Sequence, residues 1–431
     1  MNRREFLQSA AQGSAALLAA TGGMSALTGL TGTACTSPVR EVVPISQVKK
    51  PLAIAMWDYS WILRHHRYGE FENWDRVLEG LAERGYNAIR MDAMPQFIAS
   101  SADGKITEEF RSVRDGWIPA MWGNDYTMSF RPREAILEFM TKCKKYNIQV
   151  GLASWFLNHG TERKDIFMEE GGLFRAWDET LTFLSDHQML DNVIYVDVLN
   201  EYPTTNGYDW IKNEMNARAD IAQFKLNNPE ANLPDFGETT SSGNPLQKAF
   251  YNQFANDLLS RLKKKYPTLD FFVSFHAWYP ETDYDLTNFA AFDNHIWFNM
   301  RGIPGLKDIE ARDQTKFDYR VSMKTVQSFW AENKEKLVGW MNGKMDDISR
   351  VAEKYGIVCG NTEGWGPICW FDHPELDWSW VKESGNICID LLQAYPRYKF
   401  ICTSNFTHPQ FRGMWEDVKW HREMTRKIKS T

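Results

Sequence analysis

Two glutamates are set apart by what precedes them. Residues 192–199 form an apolar run rich in β-branched side chains that ends abruptly in Asn200-Glu201-Tyr202-Pro203. Such a run reads as a buried strand of a parallel sheet, delivering an amide and a carboxyl to its carboxyl end. Pro203 then stops it, because proline cannot continue the ladder and restricts the residue before it. Residues 356–362, closing in Asn361-Thr362-Glu363-Gly364-Trp365, repeat the scheme. Two carboxyls at the ends of two strands of one sheet can cleave a glycosidic bond. One protonates the leaving oxygen, and the other attacks or stabilises the sugar cation. The Asn-Glu pair alone means little, since Asn213-Glu214 recurs in a polar, helix-like segment. Only the first closes an apolar strand.

The elements that must hold these groups alternate along the chain. Strands are expected at 52–56 (ending at Trp57-Asp58-Tyr59), 87–92, 148–152 (ending at Ser154-Trp155), 192–199, 271–276, 292–297, 356–363 and 398–405. Between them apolar residues recur at helical spacing. Trp74, Val77, Leu78 and Leu81 mark one helix, Ile136, Phe139, Met140 and Cys143 a second, and Phe174, Trp177, Leu181 and Leu184 a third. Phe250, Phe254, Leu258 and Leu262 follow, then Ile348, Val351, Ala352 and Tyr355, and a closing helix from Met414 to Ile428. Eight such units predict a (β/α)8 TIM barrel with extended loops after strand four (204–243) and strand six (301–329), both on the carboxyl-terminal face where barrels build their sites. A doubly wound open sheet is the alternative. Neither a Gly-x-Gly-x-x-Gly turn after the first strand nor a P-loop is present, so no nucleotide cofactor is implied.

Composition bounds the rest. The chain of 431 residues is 43% hydrophobic and carries a net charge of −7 with no strongly basic block, which argues against nucleic acid as a partner. Residues 1–35 read as a targeting segment. Asn2-Arg3-Arg4-Glu5-Phe6-Leu7 is a twin-arginine signature, and a weakly hydrophobic Ala/Gly/Leu stretch follows it. This predicts export, with a periplasmic or cell-surface location and a linker over 36–50 before the domain at 51–431. Cys35 is a candidate lipid-anchor cysteine, although Gly32 stands where a lipidation signal has leucine. No later run reaches the roughly 20 apolar residues of a membrane span. Cys143, Cys359, Cys369, Cys388 and Cys402 lack Cys-x-x-Cys spacing, so neither a zinc site nor a disulfide framework follows.

From about Leu52 to Asn405 the sequence resembles the cellulase-like (β/α)8 glycoside hydrolases of the family 5 and clan A type. The resemblance rests on Arg90 in Ala88-Ile89-Arg90-Met91-Asp92, on Asn200-Glu201, on His295-Ile296-Trp297 and on Thr362-Glu363-Gly364. It implies Glu201 as acid/base, Glu363 as nucleophile, Asn200 on the sugar 2-hydroxyl, Arg90 holding Glu363 ionised, and His295 with Trp297 lining the same subsite. It also implies a carbohydrate substrate and neither cofactor nor metal. Three positions depart from the pattern. Ser154-Trp155 replaces the histidine ending strand three, the tyrosine of strand six is Trp297, and the tryptophan platform ending strand eight is Asn405-Phe406. Physical chemistry asks for a low pKa on the nucleophile, supplied by an adjacent arginine, and a raised one on the proton donor.

Other strand-end residues are open to two readings. His276 and Trp278 after strand five either meet substrate or complete a loop. Asp58 and Asp92 either bond sugar hydroxyls or cap loops, and Arg64-His65-His66-Arg67 reads as a solvated basic loop. Trp57, Trp155, Trp297 and Trp365 fall at or just beyond four strand ends, which predicts the walls of one sugar cleft. Two other classes remain: a non-catalytic sugar-binding barrel, and a sugar isomerase barrel holding a divalent metal. The isomerase would need a denser Asp/Glu/His set than Glu201, Glu363 and His295 supply.

Overall fold

The computed structural model describes residues 42–113, 121–124, 127–204, 207–229, 245–276, 284–297, 319–366 and 372–430. The expected leader with Cys35, residues 36–41 of the expected linker, Trp278, Cys369 and large parts of both extended loops lie outside them.

β1 (Leu52–Asp58) is buried at every position. α1 (Trp74–Glu83) opens where the Asn73 side chain accepts the Arg76 N–H, and it buries Trp74, Val77, Leu78 and Leu81, the stripe its periodicity predicts. After β2 (Ala88–Asp92) comes a short antiparallel hairpin, β3 (Phe110–Ser112) with β4 (Met128–Phe130). α2 (Pro132–Lys145) starts on proline and ends in three lysines, which suits the helix dipole. β5 (Gln149–Ala153), α3 (Gly172–Asp186) and β6 (Val193–Asp197) follow. α4 (Asp209–Ala217) and α5 (Ala219–Asn227) occupy part of the first extended loop. Next come α6 (Pro245–Lys265), β7 (Phe271–Phe272), β8 (Phe275–His276), β9 (Ala291–His295) and the 37-residue α7 (Tyr319–Tyr355). β10 (Val358–Asn361), α8 (Ser379–Leu392), β11 (Tyr398–Cys402) and α9 (Val418–Ser430) complete the domain.

The barrel sheet runs β7-β6-β5-β2-β1-β11-β10-β9-β8, parallel throughout. β7 and β8 are one strand broken at Val273-Ser274. Its first half pairs with β6 and its second with β9, so the ring of eight closes through it. The chain is thus the (β/α)8 barrel its pattern predicts. At the break the Ser274 N–H leaves the ladder to donate to Asp197 Oδ1 (2.8 Å).

Aromatic rings fill the barrel interior. Tyr195 lies 4.9 Å from Phe272 and 5.5 Å from Phe400 between ring centroids. Two glycines make room for them. A Cβ on Gly151 would fall 2.1 Å from the Tyr195 ring, and one on Gly360 2.3 Å from that of Phe400. At the opposite end from the site, the last residues of the expected linker belong to the domain: Ile45 is fully buried and the Ser46 N–H donates to Asp270 Oδ2 (2.8 Å). α9 is fastened by a buried chain in which the Tyr86 hydroxyl meets Thr403 Oγ1 and His421 Nδ1. His421 Nε2–H donates to the Met414 carbonyl (3.0 Å), which fixes its tautomer.

Candidate active site

Above the aromatic layer the carboxyl ends of the strands carry charge. Arg90 on β2 is wholly buried and spreads its guanidinium over four neighbours: Asp58 ending β1 (2.5 Å), Asp197 ending β6 (3.4 Å), the Asn200 side-chain oxygen, and Glu363 just past β10 (2.8 Å). Burial disfavours its charge, but the three carboxylates outweigh that, and Arg90 stays a fixed cation. Asp58 in turn accepts the Trp155 indole N–H (3.2 Å).

Glu201 and Glu363 face each other across His295, which ends β9. The imidazole Nδ1 lies 3.0 Å from Glu201 Oε1 and 3.6 Å from Glu363 Oε1. Its Nε2 points at Thr362 Oγ1 (3.3 Å) and Asp293 Oδ2 (3.7 Å), and Thr362 itself donates to Asp293 (2.6 Å). Burial lowers the pKa of His295, yet Glu363, Asp293 and Glu201 around it more than reverse this and hold it well above its ordinary value. The donor atoms of Glu201, His295 and Glu363 lie within 4.8 Å of one another. Ser274 at the break in strand five steadies Glu201. Its hydroxyl accepts the Glu201 N–H (3.1 Å) and bonds Asn200 Oδ1 (3.2 Å).

The electrostatics of the two carboxyls run opposite to the sequence expectation. Burial pushes Glu363 up to about 8, against the pull of His295 and Arg90. Burial also raises Glu201, but His276 and His295 outweigh it and leave the carboxyl below its ordinary value. The cause is geometric. Glu363 is fully enclosed and shares Arg90 with Asp58 and Asp197, whereas the Glu201 side chain is 16% exposed and takes the shorter bond from His295. Within this coupled pair Glu363 is thus held above its ordinary value and Glu201 below it.

The structure brings Asn200, Glu201, Arg90, His295, Glu363, Trp155 and His276 together, and Trp297 joins them through an aromatic wall. Trp297 stacks on Trp122 at 6.0 Å with planes 16° apart. Asp92 braces loops: its oxygens accept the backbone N–H groups of Met94 (2.7 Å) and Trp155 (2.9 Å), and burial lifts it to about 7. Two expected cleft walls are corrected. The Trp57 ring packs on Phe71, Phe139 and Trp415 in the helical layer, with its N–H on the Thr407 carbonyl. Trp365 is 1% exposed, and its N–H is bound by the Cys402 carbonyl of β11. Asp197, Asp293, Ser274, Thr362 and Trp122 were not anticipated. The signal for the two aspartates was a carboxylate inside an apolar strand, which must find partners when buried.

Among the solved structures similar to this chain are three that span most of it. A provisionally assigned glycoside hydrolase from Parabacteroides distasonis matches with 26% identity and a TM-score of 0.70, over 88% of this chain and 94% of that one. The cellulose synthase subunit Z of Clostridioides difficile matches with 9% identity and a TM-score of 0.50, over 88% and 99%. An endocellulase from Pyrococcus horikoshii, solved with cellotetraose, matches with 14% identity and a TM-score of 0.46, over 87% and 92%. Comparison with curated protein sequences gives no significant match. The model of one family, described as sugar-binding cellulase-like, matches residues 54–429, nearly the whole barrel, and this chain belongs to that cellulase-like family.

Proposed function

We propose that the chain is a retaining glycoside hydrolase acting on β-linked oligo- or polysaccharide, with Glu201 as acid/base and Glu363 as nucleophile. One observation carries this reading: two carboxyls just past the ends of β6 and β10, with oxygens inside 4.8 Å of each other and one imidazole nitrogen 3.0 and 3.6 Å from them. That spacing suits direct attack, because an inverting pair stands about 6.5–9.5 Å apart to admit a water. The coupled pair holds one proton near neutrality, and turnover needs it on Glu201. A sugar covering Glu201 removes its remaining solvent, while positive charge developing at the anomeric carbon favours the ionised form of Glu363. Both effects move the proton in the productive direction. Arg90 and His295 then offset the charge left on Glu363, and Asn200 bonds the adjacent hydroxyl. The sequence signature at residues 2–7 supports export by the twin-arginine route.

Glu201→Gln and Glu363→Gln should each abolish hydrolysis across a panel of aryl β-glycosides while leaving the circular-dichroism spectrum intact. Azide should rescue Glu363→Gly with formation of an inverted glycosyl azide. Chelator should leave the parental rate unchanged, which separates this reading from a metal-dependent isomerase using the Glu201, His295 and Glu363 donors. Near-parental rates in both Gln variants would remove the mouth as the reaction centre. A parent that binds oligosaccharides and cleaves none would be a sugar-binding barrel.

A further inference from the structure

The barrel mouth holds buried polar atoms that the catalytic pair does not use. Asn405 is fully enclosed, yet neither its carboxamide oxygen nor its nitrogen has a partner among the described residues. The register places it. β11 pairs with β10 (Asn361 opposite Ile401) and with β1 (Ile54 opposite Cys402). Asn405 therefore stands at the mouth between the strand that ends in Asp58 and the one that leads to Glu363. A Cβ on Gly366, three residues past Glu363, would lie 3.6 Å from its Oδ1. Tyr59 is in the same condition: its phenol oxygen is buried without a partner among the described residues, close enough to Asp58, Asp92 and Glu363 to feel their charges. The Asn200 side-chain nitrogen is the third such group.

Folded proteins leave few buried polar atoms unanswered, since each costs free energy. Three such groups at one mouth, Asn405, Tyr59 and Asn200, leave donors and acceptors open to a ligand there. A carboxamide presents two N–H donors beside an acceptor, and a phenol can do either. That pattern complements adjacent hydroxyls on a neutral sugar, which also donate and accept.

We propose that Asn405, aided by Tyr59, is a specificity-determining residue that grips a vicinal diol of the neutral sugar bound beside Glu363. The inference uses the proposed hydrolase site for its location but does not require turnover. The test measures binding in the Glu363→Gln protein by calorimetry, with cellobiose, mannobiose and xylobiose as probes, and hydrolysis separately in the parent. Asn405→Ala should weaken binding of the best probe about 10- to 100-fold, the loss of two hydrogen bonds. Its Tm should stay level or rise, because unanswered polar atoms are removed. A monodeoxy form of that probe should bind the Asn405 protein more weakly but lose nothing further in Asn405→Ala, and Asn405→Leu should behave alike. A fall in Tm with unchanged affinity would make Asn405 a structural residue and overturn the proposal while leaving the hydrolase reading intact. Affinity lost on substitution, in a parent that cleaves nothing, would uphold the proposal and overturn the hydrolase. No binding of any probe together with no hydrolysis would overturn both.

Discussion

Arg90 is the residue on which the charge balance of the site turns, and its neighbours give a signed test. The coupled pair is productive with a single proton, so kcat/KM should fall on the alkaline side as Glu363 loses it near pH 8 and on the acid side as Glu201 gains one below its ordinary value. Arg90→Met removes a cation 2.8 Å from Glu363, which should carry both limbs to higher pH, the alkaline one further. Asp58→Asn removes an anion that raises Glu363 and should move the alkaline limb down. Profiles of kcat/KM against pH for the two variants check the opposite signs; a common direction would mean that Arg90 and Asp58 act on structure instead. Glu201 and Glu363 were legible as strand-end carboxyls, whereas Arg90, inside β2, Asn200 and His295 were reached through the resemblance. Trp57 was misread although the same logic applied. Asp58 faces the site, and its neighbour must point the other way. Trp365 lay beyond that logic, since the chain leaves the strand before reaching it and turns with φ 70°.

The elements themselves were largely visible because apolar spacing of two or of 3.6 is imposed by what each face must bury. What escaped had no period to show. The strands of the β3–β4 hairpin have three residues each, and the break in strand five is hidden in Phe271–His276, which reads as continuous. The demand for glycine inside the barrel is also invisible without knowing which rings oppose it. Gly360→Ala drives a methyl into Phe400 and should cost about 1–3 kcal/mol, the usual penalty of overpacking. Pairing it with Phe400→Leu should recover part of that loss. Urea unfolding of the single and double variants measures both, and equal stability of Gly360→Ala and parent would show that the rings yield.

For the molecule as a whole, the site is a burden on the fold. Glu363 binds its proton more tightly folded than unfolded, so the stability it contributes is full below about pH 4.5 and is lost as pH rises through about 8. Glu363→Gln, which cannot ionise, should therefore raise Tm more at pH 8.5 than at pH 5.5, by the equivalent of up to about 3 kcal/mol. Calorimetric scans at the two pH values decide it, and an equal shift at both would mean that Glu363 ionises freely in the folded state. The break in strand five has a consequence of another kind. The backbone N–H that Ser274 withdraws from the ladder and the hydroxyl it turns toward Asn200 and Glu201 belong to one residue on the seam where the ring closes. One residue thus ties the seam of the ring to the backbone of the proposed acid. A chain with that seam ajar could keep nearly all its helices, look native to most probes, and still be chemically blank.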